Sequence, residues 1–113
     1  MNTKELLTNA RARIEDPIDW TQGTMARDDN GHEVPADHLD ATSWCASSAC
    51  QLSAAESDYR FDYGFDYIAV YIKAVLALEN CIPSATPITE YNDTHSHAEV
   101  LALFDRAITA LED

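Results

Sequence analysis

Ser96-His97-Ala98-Glu99-Val100-Leu101-Ala102-Leu103-Phe104-Asp105-Arg106-Ala107-Ile108-Thr109-Ala110-Leu111 declares a helix twice over. Ser96 followed by Glu99 is a capping box, in which each residue's side chain satisfies a backbone N–H of the other. Val100, Leu101, Phe104, Ala107, Ile108 and Leu111 then recur at three- and four-residue intervals, the clearest amphipathic stripe in the chain. A helix with one apolar face requires other elements to cover it.

Those elements lie upstream. Asn80, Pro83 and Pro87 mark a loop, and before it the spacing predicts a helix from about Asp62 to Glu79 with Phe65, Ile68, Ala69, Ile72, Val75 and Leu76 facing inward. A break around Ser53 to Asp58 separates it from another helix, capped by Asp40 or Thr42, whose apolar face is Ala41, Trp44, Cys45, Ala49 and Leu52. At the N-terminus Asn2 with Glu5 reads as a cap, Leu6, Leu7, Ala10 and Ile14 share one helix face, and Pro17 ends the run. Between these helices Trp20 to Arg27 and His32 to Val34 are extended pieces around an Asn30-Gly31 turn, giving a small hairpin or an ordered loop. The expectation is a mainly α fold: about four helices in a small bundle-like single domain, 1–113, with a short β-hairpin or ordered loop between helices 1 and 2.

Composition bounds the function. The 113 residues are 46% hydrophobic, enough for a core, and 7 Lys and Arg face 20 Asp and Glu for a net charge of -13. Such a charge disfavours nucleic acid and anionic membranes as direct ligands and favours basic protein surfaces or cations. The most apolar run, Ile68 to Leu78, is short and interrupted by Lys73, so no span of a bilayer is expected. An odd number of cysteines (Cys45, Cys50, Cys81) without CxxC spacing, and a start without a signal-peptide core, point to reduced thiols in a cytosol.

Catalytic signatures are missing: there is no GxSxG, no Walker glycine loop, no GxGxxG and no HExxH. The thiols of Cys45 and Cys50 fall on apolar helix positions where free cysteine acts as a small hydrophobe. His95 and His97 straddle the Ser96 cap beside Asp93 and Glu99, and His32 and His38 lie in the loop region, without metal-ligand spacing. Asp28-Asp29-Asn30-Gly31-His32-Glu33 resembles part of an EF-hand loop, but its twelfth position is Leu39 instead of glutamate. No cofactor or metal is expected, and the chain reads as a non-enzyme.

The acidity is concentrated. From Asp28 to Asp66 stand nine acids (Asp28, Asp29, Glu33, Asp37, Asp40, Glu56, Asp58, Asp62, Asp66) against Arg60 alone. Within that block Asp58, Asp62 and Asp66 repeat every four residues, with Tyr59, Tyr63, Tyr67 and Tyr71 in the adjacent row. On a helix each row forms a stripe, and tyrosine supplies the rigid contact area enriched at binding hot spots. Glu56, Asp58, Tyr59, Asp62, Tyr63, Asp66 and Tyr67, together with Asp28, Asp29 and Glu33, are therefore the candidate partner-binding residues. The bland alternative is a solvated helix face with tyrosines at the core edge, or the acid-rich surface of a protein from a high-salt cytoplasm.

Ile88-Thr89-Glu90-Tyr91-Asn92-Asp93-Thr94 followed by Glu99-Val100-Leu101 resembles an uncharacterised family of small bacterial and phage proteins. Its members show an aromatic-Asn-Asp turn before a Glu-Val-Leu helix. Leu6-Leu7 with Ala10, Trp20-Thr21-Gln22-Gly23 and Trp44-Cys45 fit it as well. Tyr91 stands where the family usually has Trp, and Ala46-Ser47-Ser48-Ala49 replaces a common Gly-Ala pair. The resemblance attaches no activity and implies a setting of phages and mobile elements. By analogy of class it suggests an inhibitor of a host defence complex, of the anti-CRISPR type, that occupies a basic nucleic-acid-binding surface by charge mimicry. The competing expectations are a small metal-binding or enzymatic accessory domain using the His and Cys residues, and a dimeric structural or assembly protein. A monomer and a homodimer both remain open.

Overall fold

The computed structural model describes residues 2–61 and 67–111, with the side chains of all but 57–61 and 67. Helix α1 (Thr3–Arg13) starts at Asn2, whose side chain accepts from the Glu5 N–H at 2.8 Å while Glu5 accepts from the Asn2 N–H. Leu6, Leu7, Ala10 and Ile14 are fully buried, and the helix ends ahead of Pro17, which opens a short 3₁₀ turn, Pro17–Asp19. A three-stranded antiparallel sheet follows: β1 (Ala26–Arg27), β2 (Glu33–Val34) and β3 (Ser43–Trp44), in the order β2-β1-β3. The hairpin expected around Asn30-Gly31 is β1–β2, with Ala26 opposite Val34 and Arg27 opposite Glu33. Gly31 has φ +84, the left-handed conformation that glycine adopts without strain.

β3 was not expected. Trp44, read as part of a helix face, belongs to this strand, and its indole N–H donates to the Ala36 carbonyl at 3.0 Å. Helix α2 therefore begins at Ala46, beyond both Asp40 and Thr42, and runs to Phe61. The supposed break at Ser53 to Asp58 lies inside it. No Gly or Pro interrupts residues 53–58, and Ser53 and Ala54 are buried on its packed face, so tertiary packing overrides the weak helix preference of serine.

Helix α3 (Tyr67–Glu79) corrects a second expectation. Ala74 and Leu78 are its buried residues, and Val75, expected inward, is half-buried against the core with Val70, Tyr71 and Ala77; Ala69 is exposed, and Ile68, Ile72 and Leu76 are 57%, 48% and 52% exposed. Phe65 lies outside the described residues. α2 contributes Ala46, Ala49, Cys50 and Ala54 to the same buried cluster, small side chains that let neighbouring backbones come close. Ala74 suits that approach, and the Tyr71 and Ser47 hydroxyls, 2.7 Å apart, fix the rotation.

Helix α4 (Ile88–Thr94) occupies the stretch read as a turn. Its first N–H, on Ile88, donates to the carboxylate of Glu79 at 2.8 Å, so the end of α3 caps the start of α4. Helix α5 (His97–Ala110) has the expected capping box and buries Val100, Leu103, Phe104 and Ala107; Leu101 and Ile108 are half-buried and Leu111 is 40% exposed. The fold is mainly helical, with five α-helices and a small sheet in the described residues. None of these helices is long and apolar enough to cross a membrane.

Candidate functional site

Two surfaces decide what this molecule offers: a buried polar junction between sheet and helices, and the acidic lobe that the junction holds in place. The junction centres on Asn92, which is 0% exposed. Its amide oxygen accepts from the Trp20 indole N–H at 2.8 Å and from the Ala46 N–H at 3.0 Å. Its amide nitrogen donates to the Thr21 carbonyl at 3.0 Å and to the Asp93 carboxylate at 3.2 Å. Two lone pairs and two N–H groups are thus all used, and the two N–H donors on one side fix which atom is oxygen. Ala46 opens α2, so Asn92 caps that helix from across the fold.

The neighbouring bonds extend the clamp. Gln22 donates to the Asn92 and His95 carbonyls at 3.0 and 2.9 Å, and the Gly23 N–H donates to Asp93 at 2.8 Å. Gly23 has φ +82, which brings its N–H to that carboxylate. The short side chains of Asn92 and Asp93 thus satisfy backbone donors brought from far upstream, the Ala46 N–H for Asn92 and the Gly23 N–H for Asp93.

The acidic lobe spans the sheet and its loops. Between Glu15 and Asp40 there are eight acids (Glu15, Asp16, Asp19, Asp28, Asp29, Glu33, Asp37, Asp40) and one Lys or Arg, Arg27. Arg27 is turned inward: its guanidinium donates to the Thr21 hydroxyl, the Gly31 carbonyl and the Gln22 carbonyl at 3.0, 3.0 and 3.2 Å. Asp29, Glu33, Asp37 and Asp40 are exposed. A groove of about 340 Å³ runs past Ile18, Asp19, Arg27, Asp28 and Asp29.

The sequence-predicted residues separate by role. Asp28 builds the hairpin turn by accepting from the Asn30 and His32 N–H groups at 3.0 and 2.8 Å. The His32 N–H is the main reason its carboxyl lies below the ordinary range. Glu56 pairs with Arg13 at 2.7 Å, and that guanidinium also lies over the Trp44 ring at 5.6 Å. Asp29 and Glu33 stand free of such structural duty on the exposed lobe. Asp58 and Tyr59 belong to α2 and Tyr67 to α3, with side chains outside the described set; Asp62, Tyr63 and Asp66 lie wholly outside the described residues. Asp19 was missed as a lobe acid because the first 27 residues balance in charge, and only Arg27's inward turn exposes the imbalance.

Residues 1–110 match the model of a family described as "Family of unknown function (DUF6197)". The chain belongs to this family. No curated protein and no solved structure matches it. In this DUF6197 chain the Trp20-to-Gly23 and Tyr91-to-Asp93 segments, far apart in sequence, meet at the Asn92 junction, joined there by Ala46, the residue after Trp44-Cys45.

Several of the remaining candidate side chains are engaged in structure. The His97 Nε2–H donates to the Ile14 carbonyl at 2.7 Å with the Trp20 ring 5.3 Å away, and the His95 Nδ1–H donates to the Tyr91 carbonyl at 3.0 Å, stacked on the Tyr91 ring at 3.7 Å. The carbonyl partners fix both tautomers, because a carbonyl oxygen can only accept. His38 Nδ1 accepts from the Asp40 N–H at 3.0 Å. The Cys50 thiol is buried and pushed far above the ordinary thiol range, first by burial and then by neighbouring Cys45. Cys45, 5% exposed, takes the cap position of α2, its sulfur accepting from the Ser48 N–H at 3.4 Å. Among the described residues no group of three His, Cys, Asp or Glu side chains is arranged to hold a metal ion.

Proposed function

We propose that this DUF6197 chain is a non-enzymatic binding protein whose acidic sheet lobe docks on a basic protein surface. One observation carries the reading: the lobe's single arginine is spent inward on Thr21, Gln22 and Gly31, so the exposed carboxylates of Asp29, Glu33, Asp37 and Asp40 face solvent without it. Uncompensated charge of one sign steers association and sets which partners are rejected. The Asn92 junction supplies the rigidity, since a lobe pinned by fully satisfied buried hydrogen bonds loses little freedom on docking.

Affinity capture at low and high salt tests it, using native chain and a variant with Asp29→Asn, Glu33→Gln, Asp37→Asn and Asp40→Asn together. The expected result is a partner retained by the native chain at low salt, released at high salt, and lost by the variant. A partner set unchanged in the variant would overturn the lobe assignment. Parallel capture with Asp58→Asn, Asp62→Asn and Asp66→Asn reads the α2–α3 acids separately. An inhibitor occupying the nucleic-acid-binding groove of a host defence complex is the narrowest form of this proposal, and it requires that nucleic acid compete with the chain for the captured partner. Stoichiometric metal in purified protein would favour an accessory metal-binding domain instead.

A further inference from the structure

Beside the acidic lobe, a groove of about 280 Å³ opens between α2 and the segments that flank β1 and β2. Its walls are mostly apolar: Met25 ahead of β1, Pro35 and Ala36 after β2, and Leu52 and Ala55 on α2, with Gln51 and Asp37 as the polar members. Leu52 and Ala55 are half-buried, and Met25 is 48% exposed. The sheet-side wall is held by hydrogen bonds of its own. The Ala36 carbonyl accepts from the Trp44 indole N–H at 3.0 Å, the His38 N–H donates to the Pro35 carbonyl at 3.0 Å, and the Cys45 N–H donates to the Met25 carbonyl at 3.1 Å. From this wall the chain continues as Asp37-His38-Leu39-Asp40, in which both acids are exposed and Leu39 is 98% exposed.

We propose that this groove receives a basic, partly apolar peptide segment of the partner protein. An apolar side chain of that segment sits among Met25, Leu52 and Ala55, and its Lys or Arg neighbours meet Asp37 and Asp40. Because these acids belong to the lobe, the occupancy rests on the lobe docking on a basic protein. It adds what charge alone does not supply, a choice among basic partners. Volume limits the occupant. At about 280 Å³ the groove falls below the roughly 300–1,000 Å³ of small-molecule sites, and it suits one or two side chains of a peptide. Charge limits it further. Asp37 is the charged residue among those lining the groove, with no Lys or Arg beside it there. An anionic membrane, a nucleic acid or a second copy of net charge -13 would each bring negative charge to that rim, whereas a cationic segment complements it. The hydrogen-bonded wall keeps the ordering cost of docking small.

Two end-blocked fluorescent peptides with the same number of arginines test it, one with leucine and one with serine between them. Fluorescence anisotropy with the full chain at low salt reads both affinities. The leucine peptide is expected to bind about tenfold or more tighter, the worth of burying one leucine side chain. Ala55→Leu fills the groove without changing charge; it removes the leucine preference and leaves the Kd of the serine peptide unchanged. Met25→Ser, at an exposed position, reduces the preference and serves where Ala55→Leu alters the circular dichroism of the chain. Rising salt weakens both peptides and spares the ratio between them, because only the arginine contacts are screened. Equal binding of the two peptides would overturn the groove and leave the lobe reading intact. Binding of neither at low salt would remove the lobe reading and the groove with it. A leucine preference that survives both variants, or self-association of the chain that Ala55→Leu abolishes, would also overturn the proposal, the latter by making a second copy the occupant.

Discussion

Helices α5 and α3 are nearly equal in length, 14 and 13 residues, and both read from sequence as core helices with a large-residue stripe. α5 turns Val100, Leu103 and Phe104 into the core; α3 turns Ile68, Ile72 and Leu76 toward solvent and buries Ala74 and Leu78. The difference lies in contrast. α5 carries Glu99, Asp105 and Arg106 opposite its apolar residues, so one rotation buries the apolar side and wets the charges. α3 has a single charge before its last residue, and its pattern fits several rotations. A neighbour then decides. Ala74 shares its buried cluster with the small side chains of α2, where a large residue would be overpacked.

The comparison can be broken by substitution. Phe104→Ala in α5 is expected to cost about 3–5 kcal/mol, because a fully buried aromatic leaves a cavity, and Ile72→Ala in α3 a small fraction of that; urea midpoints of the two variants are the measurement, and equal losses would overturn the contrast. Asn92→Ala comes next, at about 2–4 kcal/mol, since it strands the buried Trp20 and Ala46 donors and unpins the first turn of α2, where Ser47 anchors Tyr71. Loss of the Trp20 near-ultraviolet dichroism ahead of global unfolding would show the junction opening first. Ala74→Leu is expected to destabilise by about 1–3 kcal/mol through overpacking against α2, although the change is from a small to a large apolar side chain. Ser96→Ala removes the α5 cap for about 1 kcal/mol. The smallest effect belongs to pH. The Ser96 N–H and hydroxyl hold the Glu99 carboxyl below its usual 4.5, so its contribution is present above that value and is lost as pH falls through the lower folded value. Glu99→Gln should flatten the acid limb of the stability profile, and an unchanged limb would remove the capping box from the account.

The junction and the lobe differ in how far they could be read. Asn2 with Glu5, Ser96 with Glu99 and the Asn30-Gly31 turn were legible because each bond joins residues at most four apart. Asn92 was visible as a motif residue, yet its four bonds reach Trp20, Thr21 and Ala46 as well as adjacent Asp93, and no local rule predicts a capping acceptor 46 residues away. Charge shows a similar division. Counting residues located an acidic block from Asp28 onward, but Glu56 is paired with Arg13 and Asp28 is used in a turn, while Asp19 joins the lobe by lining one groove with Asp28 and Asp29.

By itself, the sequence determined the helical class, the boundaries set by local capping, the hairpin turn and the sign of the charge. These follow from neighbours within one turn of chain or from simple addition. Tertiary structure alone decided that α2 runs unbroken through Ser53, that α3 turns Ile68, Ile72 and Leu76 to solvent, and that α4 forms where a turn was expected. It also decided that Asn92 binds sheet to helices. Each of these depends on what a distant segment brings against the residue: small side chains that permit close approach, or buried donors that must find an acceptor.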